Sequence, residues 1–301
     1  MFFGKSHFLN LLNRVYYLLK FYANLRLTVK QMKFTILGSG SSGNAVLINS
    51  GKTRVLVDAG LSAKEILRRL AEVGESHENL DGVLITHEHG DHAGGLRVLM
   101  KYLKCRIFIS GETEHAYFST RKGNDESFKR RESLKNKTVK IESSRDFRIG
   151  DIDFHPFSIP HDAADNFGFV AERAGVRIAT AWDFGYVTTL IKEKLRGCDG
   201  IVIESNHSKD MLKTCPLYSW DLKQRILSRM GHLSNEDLAD WLTFDYDGSA
   251  AHIVLAHLSQ QTNEPHLARL TAETALKLRQ NKCDTKISLT HPKNPTEWIE
   301  F

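Results

Sequence analysis

The chain has no apolar run long enough to cross a bilayer, which excludes a transmembrane helical protein. It has four cysteines, Cys105, Cys198, Cys215 and Cys283, and none stands at CxxC or zinc-ribbon spacing. A disulfide framework and a thiolate metal site are thereby excluded, and free thiols point to a reducing, cytoplasmic setting. The glycine-rich segment Gly38–Asn44 lacks both the P-loop lysine and the dinucleotide pattern, so it names no nucleotide by itself. No linker-like run divides the chain, and residues 32–301 read as one domain.

Of the 301 residues, 41% are hydrophobic, enough for one large core or two packed halves. The net charge of +5 is compatible with a nucleic-acid partner without specifying one. Residues 1–31 contain no acid, while Phe8, Leu11, Leu12, Val15, Leu18, Leu19 and Tyr22 recur at helical spacing. This predicts a basic amphipathic extension, which could pack on the domain or touch an anionic membrane surface. Alternatively Met32, placed directly before the first strand, is the true start.

The pattern of the remainder alternates strands with helices. Strands are predicted at 34–37, 45–49, 53–57, 82–86, 105–110, 151–159, 167–172, 176–180, 200–204, 251–256 and 286–290. Ser62 and Ser234 stand where helix N-caps belong, and Asp91 could cap a helix from His92 to Tyr102. Residues 113–145 form a polar stretch in which Arg121, Lys122, Lys129, Arg130, Arg131, Lys135, Lys137 and Lys140 make either a solvated face or a phosphate track. Two sheets with helices outside them give an α/β, four-layer αβ/βα sandwich.

Histidine is the residue in excess, with 14 copies. In Thr86-His87-Glu88-His89-Gly90-Asp91-His92, four ligand-type side chains fall within six positions on a loop after a buried strand. Core packing does not explain that density, whereas Zn²⁺, Mn²⁺ or Fe²⁺ accepts both imidazole and carboxylate. His161, Asp183 and His257 each end or nearly end another predicted strand. Either His161 or Asp183 alone could be structural, but seven ligands suit two divalent ions. His87, His89 and His161 would hold one, and Asp91, His92 and His257 the other. Asp183, with two carboxylate oxygens, would bridge them, and a shared hydroxide would complete a hydrolytic site.

Other candidates surround this set. Asp58 could orient a ligand histidine from behind or simply form a turn before Gly60. His207 and His232 could protonate a leaving oxygen, bind phosphate, or cap a loop. Glu204 could hold a neighbouring loop or take part in chemistry. Backbone N–H groups of Gly38–Asn44 could approach a phosphate. Ser42, Asn44, Asn206 and Ser259 are candidate substrate contacts, although Asn44 could instead tie its loop together and Ser259 could be a cap.

These segments together resemble the metallo-beta-lactamase-fold superfamily, whose motifs match THEHGDH, Asp58, His161, Asp183 and His257 in order. ILGSGSSGNA, PHDAADNFGF, IESNHSKDML, YSWDLKQRILSRMGHLSNEDLA and AHLSQQTNEPHLA are more specifically similar to the YycJ/WalJ-like bacterial hydrolases, from Met32 to about Leu278. The resemblance implies the seven ligands above with Asp58 behind them. It also implies phosphodiester hydrolysis on DNA in the 5′ to 3′ direction, with a link to DNA repair. The dinuclear chemistry alone equally serves a phosphodiesterase for small or cyclic phosphate esters. A β-CASP insertion is excluded, because only 73 residues separate Asp183 from His257. Trp182 departs from the family's small polar residue before the bridging aspartate, and is expected to crowd the pocket or offer a face to a base.

Overall fold

The computed structural model describes residues 32–119 and 123–301, so the amphipathic extension at 1–31 lies outside the described residues. The first mixed sheet has the order β14-β1-β2-β3-β4-β5-β6. Its strands are β1 (Lys33–Gly38), β2 (Ala45–Asn49), β3 (Arg54–Val57), β4 (Gly82–Leu84), β5 (Arg106–Ile109), β6 (Thr138–Lys140) and β14 (Ile299–Glu300). The second has the order β13-β12-β11-β10-β9-β8-β7. It comprises β7 (Phe147–Ile149), β8 (Ile152–Ser158), β9 (Phe167–Arg173), β10 (Val176–Ala181), β11 (Gly200–Glu204), β12 (His252–Ala256) and β13 (Lys286–Leu289).

The apolar strands are explained by burial on both faces. In β2, Val46 and Ile48 enter the core between the sheets, while Ala45 and Leu47 face the helices outside. In β12, Val254 packs between the sheets, while Ile253 and Leu255 face outward. Ile66 and Leu70 of α1 (Ala63–Glu72) and Leu96 and Leu99 of α3 (Leu96–Leu99) cover the first sheet, with α2 (Gly90–Ala93) preceding them. So do α4 (Gly111–Phe118) and α5 (Asn124–Leu134), through Tyr117 and Leu134. The second sheet is covered by α6 (Thr189–Leu195), α9 (Asn235–Phe244) and α10 (Pro265–Leu278), while α7 (Lys209–Thr214) and α8 (Trp220–Leu227) lie between them in the chain. The four-layer αβ/βα sandwich expected from the sequence is therefore present.

Ser62 and Ser234 cap α1 and α9, accepting from the Glu65 and Asp237 N–H groups. One expectation is corrected. The helix read from His92 to Tyr102 is two short helices, α2 and α3, with His89 rather than Asp91 at the N-cap position. The break falls at Gly94-Gly95, and glycine is required at 95, where a Cβ would lie 1.9 Å from the Leu61 carbonyl oxygen. The polar stretch 113–145 is helical in part. Several of its cations are engaged locally: Lys129 with Asp125, Arg130 with Glu126, Lys140 with Glu114, and Arg131 over the Phe118 ring. These contacts accord with the solvated-face reading, and Arg121 and Lys122 lie outside the described residues. The short strands β6, β7 and β14 are not read from sequence, and β14 pairs antiparallel with β1.

Within each sheet the central strands β3-β4-β5 and β10-β11-β12 run parallel, which brings their C-terminal ends to one rim. In such sheets, chemistry collects in the loops at that rim.

Candidate metal centre

Asp58 follows β3, Asp183 follows β10 and His257 follows β12, and all three adopt positive φ, at 64°, 60° and 57°. A left-handed residue at a strand's end turns the chain sharply. Asp and His tolerate that region better than most side chains, at a cost of order 1 kcal/mol or more each. The strain is held by the surrounding loops. The His257 N–H donates to Ser39 Oγ at 2.7 Å, and Ser39 in turn donates to Asn44 Oδ1 at 3.0 Å. The Ala59 N–H donates to the His92 carbonyl at 2.8 Å, and the Asn44 N–H to the Asp91 carbonyl at 2.7 Å. Only glycine fits at position 60, where a Cβ would stand 1.7 Å from the Asp91 carbonyl oxygen.

The donor atoms of these residues converge. Ligand atoms of His87, His89 and His161 lie within 4.8 Å of one another, as do those of Asp91, His92 and His257. Asp183 stands at both groups. Its Oδ2 is 2.6 Å from His92 Nε2 and 3.6 Å from His87 Nε2, and its Oδ1 is 2.8 Å from His257 Nδ1. The buried His87 Nε2 and both Asp183 oxygens have no aligned hydrogen-bond partner. Buried polar atoms that face one another at this spacing, without hydrogen bonds, fit ligands gathered around a divalent cation.

Supporting groups fix the rings. Asp58 is fully buried and lies 2.7 Å from His92 Nδ1, leaving Nε2 to face the centre. The Thr86 N–H donates to Asp58 Oδ1 at 2.8 Å, and the Trp182 indole N–H to Oδ2 at 3.1 Å. Trp182 is 1% exposed, so it neither crowds the pocket nor offers a face to a base. Glu204, also fully buried, places Oε1 2.8 Å from both His232 Nδ1 and His257 Nδ1. Its Oε2 accepts the Phe184 and Leu233 N–H groups. Glu204 thus holds a loop and orients two imidazoles at once.

The remaining candidates separate. A cavity of about 420 Å³ opens over the centre, and His232, Asn206 and Ser259 line it with the ligands. Asn206 donates its amide to the His257 carbonyl, and Ser259 Oγ accepts the Gln261 and Thr262 N–H groups, so both brace the wall. Ser41, not Ser42, reaches the lining. Asn44 is fully buried: its Oδ1 accepts the Gly40 N–H within its own loop, while its Nδ2 faces the Asp91 carbonyl and His92 Nε2, and the Gly40, Gly43 and Asn44 N–H groups are engaged within the protein. His207 is 1% exposed and lies outside the lining. Burial pushes its pKa down to about 4, and its carbonyl accepts the Asn235 N–H; it supports the His232 loop rather than meeting substrate. Tyr218, Leu222, Arg225 and Ile226 also line the cavity and were not singled out from sequence, because only folding brings α8 to the rim.

The electrostatics divide the imidazoles. Burial, then the nearby His92, hold His87 well below the ordinary histidine range, so it presents a lone pair. Burial also opposes protonation of His92, yet Asp183, Asp91 and Asp58 raise it to about 10. Burial opposes protonation of His257 too, and Asp183 foremost raises it well above the usual value. In the metal-free protein, protons therefore stand where a cation would. A ligand imidazole must be neutral, so metal entry below about pH 10 expels protons and tightens as pH rises. Titrating Zn²⁺ into stripped protein near neutral pH should give heats that differ between buffers of different ionisation enthalpy, equivalent to roughly one or two protons released. Identical heats in both buffers would refute this charge assignment.

A two-sheet sandwich with this donor set at its rim defines a metal-dependent hydrolase. Residues 53–257 match the beta-lactamase superfamily domain. Exodeoxyribonuclease WalJ of Streptococcus pneumoniae is 36% identical over 241 residues, covering 79% of this chain and 86% of that protein. Exodeoxyribonuclease YycJ of Bacillus anthracis is 33% identical over 273 residues, covering 88% and 98%. The chain belongs to the metallo-beta-lactamase-fold superfamily and, within it, to the YycJ/WalJ branch. Zn²⁺-bound PqqB from Methylobacterium extorquens shares the fold, with a TM-score of 0.67 at 16% identity over 88% of this chain and 99% of that one. Among the described residues, no helix is long and apolar enough to cross a membrane.

Proposed function

We propose that the chain is a metal-dependent exodeoxyribonuclease that removes nucleotides in the 5′ to 3′ direction, using two divalent ions, Zn²⁺ or Mn²⁺ or alternatively Fe²⁺. One observation carries the reading: two donor sets meet at Asp183 beneath a cavity that His232 also lines. The names of the WalJ and YycJ relatives support DNA as the substrate. Bound at these ligands, divalent ions would acidify water and neutralise charge on a phosphoryl group.

The chain's own residues do the rest. Asp58 and Glu204 fix the tautomers of His92 and His257. His232 gives its Nδ1 to Glu204, which leaves Nε2 to hand a proton to the departing ester oxygen. Burial opposes a charged His232, but Glu204, with help from Asp183, raises it to about 9.

The test is digestion of single-stranded and duplex DNA labelled at either end, using stripped protein with Mn²⁺ or Zn²⁺ restored separately. The expected product is a ladder shortening from the 5′ end only when metal is present. Turnover of a cyclic or small phosphodiester with no cleavage of DNA would replace the reading with the small-ester phosphodiesterase.

A further inference from the structure

β13 ends the second sheet, and among the described residues no strand lies along its outer edge. The Lys286 N–H donates to the Ala251 carbonyl and the Thr290 N–H to the Leu255 carbonyl, both toward β12. Alternate residues of a strand turn their main-chain groups to opposite sides, so those of Thr285 and Ile287 face the open edge. A cavity of about 660 Å³ lies there. Lys286, Ile287 and Ser288 line it in succession, which sets it along the edge rather than over one face of the sheet. His252 reaches it from the start of β12, about 16 Å along that strand from the ligand His257.

An open edge is a template for another strand, and a lysine on it ordinarily keeps that strand away. Here an acid stands two residues from the lysine. Exposed Lys282, Asp284 and Lys286 alternate with half-buried Cys283, Thr285 and Ile287, so the chain runs extended for four residues before β13 begins. Among the described residues, Lys282, Asp284 and Lys286 form no ion pair. Glu273 and Lys277, on the α10 side of the cavity, repeat the mixture of signs.

A foreign peptide of either charge would match only half of this edge, whereas a second copy matches all of it. Set antiparallel about a two-fold at Thr285, two copies oppose Asp284 to Lys286 twice and Cys283 to Ile287 twice. The main chain selects the same register. Thr285 meets its own counterpart and Ile287 meets Cys283 as hydrogen-bonded pairs, which leaves Asp284 and Lys286 in the closer, non-hydrogen-bonded pair. A two-fold at Ile287 would instead set Lys286 against Ser288 and Asp284 against Thr290.

We propose that residues 282–288 are a docking edge for a second copy of this chain, joining the second sheets of two molecules across an antiparallel two-fold. Each Asp284 carboxylate then pairs with the partner's Lys286. Because the joined strands run oppositely, the two metal centres open at opposite ends of the continuous sheet and act separately.

An interface of one strand and a helix turn is small, so the dimer should be half-formed at roughly 10 to 100 µM. Sedimentation equilibrium of the full chain should show monomer and dimer exchanging over that range. Asp284→Lys and Lys286→Asp each turn two attractions into repulsions and should weaken the dimer about tenfold or more. Carrying both changes in one chain restores the pairs with their signs exchanged, and should return the dissociation constant to within about threefold of wild type. Both positions are exposed, so circular dichroism should show the variants folded as wild type. A wild type that stays monomeric throughout the range overturns the docking edge. So does a dimer that neither single change weakens, or that the double change fails to restore.

Discussion

Asp183→Asn should lower kcat on DNA by about 10² to 10⁴, because the neutral amide removes charge from the point where both donor sets meet. Asparagine is the informative replacement. Position 183 sits at φ 60°, and Asn tolerates the left-handed region where Ala would add strain of about 1 kcal/mol. Unfolding by circular dichroism should therefore report a folded protein while activity collapses. Metal content, measured by mass spectrometry after desalting, should fall by about half, since His87, His89 and His161 can still hold one ion without the bridge. A variant that keeps both the metal content and the rate of wild type would remove Asp183 from the bridging position.

The part of this site that was legible in sequence is the part built from strand ends. THEHGDH starts two residues after the interior strand β4 ends, and His161, Asp183 and His257 each sit within three residues of a strand, so local pattern placed them. Glu204, Asn44, His207 and Trp182 could be noticed but not sorted, because their roles depend on where side chains turn after folding. Asn44 looks like a substrate contact until its side chain is seen joining its own loop, through Gly40, to the ligand loop at Asp91 and His92. Trp182 looks like a pocket residue until β10 turns its indole toward Asp58 across the inter-sheet core. The α8 wall was illegible as a wall for another reason. Tyr218 and Arg225 carry no ligand chemistry, and 34 residues separate Asp183 from Tyr218 with nothing in the spacing to bring them together. The positive φ values at Asp58, Asp183 and His257 also leave no mark in composition, although Asp and His just past apolar strands are residues that tolerate such a turn.

His232→Asn should separate proton transfer from binding. If His232 Nε2 protonates the departing oxygen, the loss on DNA should be about 10² to 10⁴, because a deoxyribose alkoxide leaves poorly without a proton. Bis(4-nitrophenyl) phosphate, whose phenolate leaves unaided, should lose roughly tenfold or less, since general acid catalysis has little to contribute there. Glu204 makes the assignment stricter. Its Oε1 lies 2.8 Å from the Nδ1 atoms of His232 and His257, while Oε2 accepts two backbone N–H groups. Glu204→Gln must then point an amide N–H at one of those pairs. It should lower stability as well as rate, because a buried donor is left facing a donor. His232→Asn leaves Glu204 its backbone partners and its contact with His257, so its main effect should be kinetic. Equal losses on DNA and on the nitrophenyl ester would mean that His232 acts by holding the phosphate or the loop, and the proton would have to come from water.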